Sequence, residues 1–168
     1  MLKSGLAWLR DCLFRSYKEE RKTMIDDLIR KYEGCRLVAY PDPATGGLPV
    51  TIGWGSTKKP DGSNFAIGEE ISQEVADMLL DSYIKKNIEP VFDKIPYKLS
   101  DNQKCALASL MYNIGVPAFT RSNLFKAICS KDVEGIFNKW DWIKGGGKVM
   151  KGLAKRRSEE LYLFLKDL

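Results

Sequence analysis

An α+β fold, with a small sheet lobe beside a larger helical lobe and a cleft where they meet, is what this sequence predicts. Three observations lead there. A short apolar helix ends at Gly34 and is followed by a strand-like stretch, "RLVAY" and "PVTIGWG", joined by the turn-rich "PDPATGG". A long helical pattern then opens at Ser72 and could serve as a rod between two lobes. Beyond it, only helical patterns follow.

The elements can be justified in order. Leu2, Leu6, Leu9 and Leu13 recur at helical spacing, so residues 1–22 form an N-terminal extension expected to be an amphipathic helix packed on the body of the protein, with contact to a membrane surface as the alternative. Thr23 is placed to cap the next helix, with Asp26 three residues on, and Ile25, Leu28, Ile29 and Tyr32 mark its buried stripe. The sheet lobe covers about 34–70, with "FAIG" at 65–68 as a candidate third strand. The rod from Ser72 should stop near Pro90, which cannot supply a helical N–H. In the helical lobe, about 90–168, Ser100 and Gln103 form a capping box for "DNQKCALASLMYNIG", the expected central buried helix. Shorter helices are expected around 122–129, 131–142 and 150–166. Trp140 and Trp142 read as core residues, and the run "KGLAKRR" as a solvated helix face with one arginine turned inward to a carboxylate.

Composition narrows the chemistry. The chain has 168 residues, 44% of them hydrophobic, which suits a globular protein with a sizeable core. Its 27 basic and 22 acidic residues leave a net charge of +5, which favours an anionic surface or polymer. No nucleic-acid motif accompanies the basic run, so no nucleic-acid partner is expected. There is no histidine. Hydrolases built on imidazole bases or imidazole-ligated zinc are therefore disfavoured, and carboxylate chemistry remains. Cys12, Cys35, Cys105 and Cys129 are scattered without a C-x-x-C pair and read as packed thiols, Cys35 being a candidate for redox control of the nearby Glu33. No metal or organic cofactor is implied. The apolar runs of the N-terminus are broken by Arg10, Asp11 and Arg15 and carry no signal-peptide pattern, so synthesis in the cytoplasm without stable membrane insertion is expected.

Without histidine, acid–base catalysis falls to a pair of carboxyl groups in unlike surroundings. Glu33, at the end of its helix and at the edge of the apolar stripe, is placed to keep a proton, since burial and the helix C-terminus both disfavour the anion. Asp42, in the polar turn "YPDPATGG", is placed to stay ionised. Two carboxyl groups flanking a bond are what glycoside hydrolysis needs, and Thr51 on the return strand could orient a water between them. Spacing alone leaves open that these are ordinary surface charges.

These residues carry a family resemblance. Glu33-Gly34, Tyr40-x-Asp42 and Thr51-Ile52-Gly53-x-Gly55, then "ALASLMYNIGVPAFTRSNL", then "GGGKVMKGLAKRRSEELYLF", resemble in order the phage-type lysozymes of glycoside hydrolase family 24, the endolysins that include the T-even phage lysozyme. The resemblance covers about residues 24–166. It implies a lysozyme-like catalytic domain over 23–168 that hydrolyses the β-1,4 bond between N-acetylmuramic acid and N-acetylglucosamine in bacterial peptidoglycan. Glu33 would be the general acid, Asp42 the partner carboxylate and Thr51 the water-positioning hydroxyl of an inverting mechanism. Thr57, Tyr112, Asn113 and Ser122 map onto substrate-binding positions. A monomer acting on the wall in the periplasm is implied, with passage through the membrane left to a separate holin-like protein. Two departures stand out: eight residues separate Asp42 from Thr51, a longer hairpin than in familiar members, and Ser56 occupies a position where the family often has histidine. A lytic transglycosylase, needing only one acid, and a wall-binding protein without turnover are the alternatives.

Overall fold

The computed structural model describes residues 24–41 and 46–168. The expected N-terminal helix, the cap at Thr23 and the aspartate Asp42 lie outside the described residues. Helix α1 occupies 24–32 and is followed by strand β1 (Arg36–Tyr40) and strand β2 (Thr51–Gly53), which pair antiparallel with Arg36 opposite Gly53 and Tyr40 opposite Thr51. The candidate strand at 65–68 is not one. The chain pairs with β1 slightly later, through a bridge between Val38 and Glu70 and bonds from Ala39 N to Glu69 O and from Ile71 N to Leu37 O. Phe65 instead turns its ring into the sheet-lobe core, and Gly68, at φ +79°, turns the chain.

The rod is longer than expected. Helix α2 (Gln73–Tyr83) passes through a π segment (Ile84–Ile88) into α3 (Glu89–Phe92), so helical backbone continues past Pro90. Proline lacks the N–H that would bond four residues back, and the chain meets this with a wider turn in which Glu89 N–H reaches five residues back to Ile84 O. The whole rod measures roughly 30 Å at the α-helical rise. It belongs to both lobes. Leu79 packs with Ala39, Val50, Ile52 and Phe65 in the small core, whereas Leu80, Ile84 and Ile88 pack into the large helical core. This division follows from one residue type presented on two helix faces.

The helical lobe is centred on α4 (Asp101–Ile114), where the expected capping box of Ser100 and Gln103 forms in full. Every residue from Cys105 to Met111 is buried, as a helix surrounded on all sides must be. Short helices α5 (Val116–Thr120), α6 (Asn123–Cys129) and α7 (Val133–Lys139) wrap it. The chain then leaves the helical pattern before Trp140, whose ring is buried against Phe164 at 5.3 Å between centroids. A hairpin of β3 (Lys144–Gly145) and β4 (Lys148–Val149) turns at Gly146 and Gly147, both at positive φ. Helix α8 (Lys151–Leu165) closes the lobe against α4. Together the elements form an α+β fold of two lobes that share the rod.

Candidate active site

Glu33 sits at the end of α1, where its backbone N–H still donates to Ile29 O at 2.9 Å. Its side chain retains 24% exposure, so its carboxylate still meets solvent. Arg156 of α8 holds it: Nη1 donates to Glu33 Oε1 at 2.6 Å. Arg156 is itself only 2% exposed and spends its other donors on fixed partners. Nε donates to Ser109 Oγ and Glu160 Oε1, each at 3.1 Å, and Nη2 donates to Ser109 O at 3.0 Å.

Behind Arg156 the network continues inward. Glu160 is fully buried; Oε1 accepts from Ser109 Oγ at 2.6 Å and from Arg157 Nη2 at 2.8 Å, and Oε2 accepts from Trp140 Nε1 at 3.3 Å. Arg157, also buried, reaches back to Asn113 Oδ1 at 3.0 Å. Thus Arg156, Arg157, Glu33 and Glu160 form a charge-balanced cluster in which each buried charge has a partner, the condition under which buried ions are tolerated. The helical phase explains the placement, since 156, 157, 160 and 164 are the buried positions of α8. Two consecutive arginines turn inward here rather than the one expected from sequence.

The other wall is the sheet lobe. Thr51 begins β2, half-buried and opposite Tyr40, which stands two residues before Asp42 in the chain. After β2, Ser56 N donates to Ile52 O at 2.9 Å and closes a tight turn that carries Trp54. Trp54 Nε1 donates to Asp77 Oδ1 at 2.8 Å, and Arg30 of α1 both pairs with Asp77 at 2.9 Å and lies over the Trp54 ring at 5.0 Å. This triad ties α1, the hairpin and α2 together. Gln73 Nε2 also donates to Asp77, and Cys35 Sγ donates to Gln73 Oε1 at 3.7 Å as a free thiol.

A cleft of about 530 Å³ opens next to this junction, lined by the loop 55–62, one face of the rod and Tyr112. Thr57 and Tyr112, two of the expected substrate contacts, share that lining. Tyr112 O–H donates to Trp54 O at 3.1 Å, and burial together with the nearby Glu33 charge holds its phenol well above the usual tyrosine range. Asn113 is exposed next to it, with its amide oxygen committed to Arg157. Ser122 stands apart as the N-cap of α6, its hydroxyl oxygen accepting from Phe125 N at 3.0 Å.

Sequence reasoning did not single out Arg156 by number, nor Glu160, Ser109, Trp54 or Asp77. A signal was present for some of them. Arg156 and Glu160 are an i, i+4 pair of opposite charge on the helix face that also carries Phe164, an arrangement that places the pair against the core. Nothing local marks Ser109 as their partner, because that contact spans 47 positions to Arg156.

The phage lysozyme family model matches residues 30–160. An endolysin of Acyrthosiphon pisum secondary endosymbiont phage 1 is 39% identical over 142 residues, covering 82% of this chain and 92% of that protein. Among solved structures, the endolysin of Escherichia coli O157:H7 phage FAHEc1 superposes with a TM-score of 0.71 at 31% identity, covering 88% of this chain and 93% of that one. The muramidase domain of SpmX from Asticaccaulis excentricus gives 0.69 at 29% identity, covering 85% and 95%.

Proposed function

We propose, from the premise that this chain belongs to the phage lysozyme family and degrades peptidoglycan as a glycosidase, that Glu33, Asp42 and Thr51 cleave the bond between N-acetylmuramic acid and N-acetylglucosamine with inversion at the anomeric carbon. The observation that carries the assignment of Glu33 is its ion pair with Arg156. A partly exposed carboxyl group is fixed through one oxygen, Oε1, to a buried and fully engaged guanidinium. The proton is then carried on Oε2 and passed to the glycosidic oxygen as the bond breaks, while the leaving sugar takes the bonding electrons. Arg156 keeps the acid in position through the reaction.

Thr51 and Asp42 act on the opposite face of the ring. The antiparallel register supports this pairing, because Thr51 lies opposite Tyr40 and Asp42 follows two residues later in the chain. Asp42 accepts a proton from a water that Thr51 Oγ1 orients, and that water attacks the anomeric carbon. Thr57, Tyr112, Asn113 and Ser122 contact the glycan, Thr57 and Tyr112 from the lining of the cleft. Residues 23–168 constitute the catalytic unit, active as a monomer. The protein is made in the host cytoplasm and reaches the wall through a lesion opened by a separate holin-like protein, a reading supported by the charges that interrupt the apolar runs near the N-terminus.

Mass spectrometry of fragments released from Gram-negative peptidoglycan tests the reaction, and anomer-resolved NMR of the fresh product tests its stereochemistry. Reducing muramic acid ends in the α configuration, absent with Glu33→Gln and with Asp42→Asn, are expected. Anhydro ends, or activity retained by Asp42→Asn, would make the enzyme a transglycosylase. Product first formed in the β configuration would assign a retaining mechanism.

A further inference from the structure

Helix α8 buries Arg156, Arg157 and Glu160 close together, and none of the three touches the reacting bond in the mechanism proposed above. Glu160 follows the arginines by four and three residues, the spacings that bring side chains together on a helix face. All these partners are donors. The Ser109 hydroxyl, Arg156 Nε and Arg157 Nη2 donate to Oε1, Trp140 Nε1 donates to Oε2, and Arg157 Nε lies 2.7 Å from Oε2. Burial pushes this carboxyl up, yet a proton on either oxygen would meet a donor already aimed at it, so the surroundings fit the carboxylate.

One carboxylate thus anchors two cations that serve different residues. Arg156 has Nε on Glu160 and Ser109 and Nη2 on the Ser109 carbonyl, which leaves Nη1 to hold Glu33 at 2.6 Å. Arg157 has Nη2 on Glu160 and sends Nη1 to Asn113 Oδ1 at 3.0 Å. A guanidinium has donors and no acceptor, so it fixes which way round the Asn113 amide stands. The oxygen is given to Arg157, and the N–H groups are left for other partners. Asn113 is exposed, so it offers a ligand donors rather than an acceptor.

We propose, resting on the reading of Glu33 as the acid and Asn113 as a glycan contact, that Glu160 is the positioning residue shared by both. Through Arg156 it aims the carboxyl group of Glu33, and through Arg157 it turns the Asn113 amide so that its N–H groups donate to an acceptor oxygen of the glycan. One buried carboxylate thereby sets a residue of the chemical step and a residue of binding. The two arms make separate kinetic signatures.

Steady-state kinetics on soluble peptidoglycan fragments read the arms apart. Glu160→Gln should lower kcat by about 10²-fold through the misplaced acid and raise KM by about tenfold through the released amide. Glu160→Gln/Arg157→Gln removes a charge of each sign, keeps the buried cluster balanced and should show the same two losses in a protein that folds. On an Arg156→Lys background the kcat loss from Glu160→Gln should largely disappear, because the link to Glu33 is already broken. Asn113→Asp still accepts from Arg157 but has no N–H to give. It should keep its melting temperature and kcat and raise KM by about tenfold.

Without substrate, NMR should find the Arg156 Nε–H proton exchanging slowly in the wild type and quickly in Glu160→Gln. Wild-type kcat in both Glu160 variants would overturn the proposal, as would kcat losses that simply multiply in the Arg156→Lys cycle or a wild-type KM in Asn113→Asp. If Glu33→Gln turns over like the wild type, the reading of the acid falls instead, and the exchange rates still decide whether Glu160 holds Arg156.

Discussion

Arg156 crosses 123 positions of sequence to place Nη1 2.6 Å from Oε1 of Glu33. It does so as one of three successive links between the end of α1 and α8. Lys31 Nζ pairs with Glu159 Oε1 at 2.5 Å, the Tyr32 hydroxyl donates to Glu159 Oε2, and the Arg156 guanidinium lies 5.4 Å from the Tyr32 ring centre. Lys31 and Tyr32 of α1, and Glu33 directly after it, are therefore clamped by one turn of α8. The acid of the proposed mechanism is set by a helix-to-helix joint, and its geometry depends on a buried network that lies wholly outside the hairpin.

Replacing Arg156 should separate position from charge. Arg156→Ala removes the guanidinium that bonds Glu33, Glu160 and both oxygens of Ser109 and is expected to cost about 3–5 kcal/mol of stability, the usual penalty for breaking a buried ion pair. Arg156→Lys keeps the cation but cannot bond Glu33, Glu160 and Ser109 at once, and should cost about 2 kcal/mol and lower turnover by about 10²-fold. Urea unfolding beside initial rates of peptidoglycan clearance measures both. A lysine variant with wild-type turnover would show that Arg156 supplies charge alone.

Asp77 gives the pH dependence of the junction. Its partial burial pushes its carboxyl upward, but hydrogen bonds from Trp54, Gln73 and Arg30 outweigh that and hold it below the ordinary value of 3.8. A carboxylate lowered in the folded state contributes stability that is present above its unfolded pKa and is lost as pH falls through the folded one. Asp77→Asn should therefore lose about 1 kcal/mol at neutral pH, a figure reduced for the solvent that still reaches this side chain. The deficit should shrink as pH falls below 3.8 and vanish once pH has fallen through the lowered folded pKa, where the wild-type carboxylate is itself protonated. Parallel stability curves for the two proteins down into strong acid would remove Asp77 as the cause.

Much of this was legible in the chain. Local chemistry made the capping box at Ser100 readable, because it is decided by residues within a few positions. The helix end before Glu33 and the return strand at Thr51 were readable from ordered motifs, and both elements fall where those motifs place them. The third strand was misplaced because "FAIG" has strand-like residues, while its pairing depends on where β1 leaves open hydrogen-bonding groups. The rod overran Pro90 because a π turn can absorb a missing N–H, which no propensity rule registers. The buried cluster was the least legible part. Arg157, Glu160, Ser109 and Trp140 are ordinary residues until three separate helical or loop segments converge on them.

Tyr32 supplies a second titration, with the opposite sign. Burial, then the hydrogen bond to Glu159 and the charges of Glu159 and Glu160, push its phenol up from 10.0 to about 12. A raised folded pKa means the stabilisation is complete below pH 10.0 and is lost as pH rises through about 12. Absorbance titration should show several tyrosines ionising late, Tyr112 among them, and Tyr32→Phe should lower the late amplitude by one tyrosine and flatten the alkaline limb of the stability curve. An unchanged late amplitude in the phenylalanine variant would mean that Tyr32 ionises with the ordinary tyrosines.

The close approach of β2 to α2 sets the hairpin and gives the sharpest steric test. Gly53 has φ +62°, and a Cβ added there would stand 3.2 Å from Cβ and 3.4 Å from Cα of Ala76, a fully buried residue of the rod. Gly53→Ala thus combines a left-handed backbone position, costing about 1–2 kcal/mol, with overpacking of about 1–3 kcal/mol. Because Thr51 lies two residues away on the same strand, any relief by strand movement shifts the proposed water-positioning hydroxyl, so turnover should fall with stability. Ala76→Gly removes the obstructing Cβ at a cost of about 1 kcal/mol in a helix interior. In the double variant the contact term is relieved and the backbone term remains, so the two changes should couple by about 1 kcal/mol in the stabilising direction. Simple additivity in urea unfolding would mean that the cost lies entirely in the backbone at Gly53, and that α2 does not press on the hairpin.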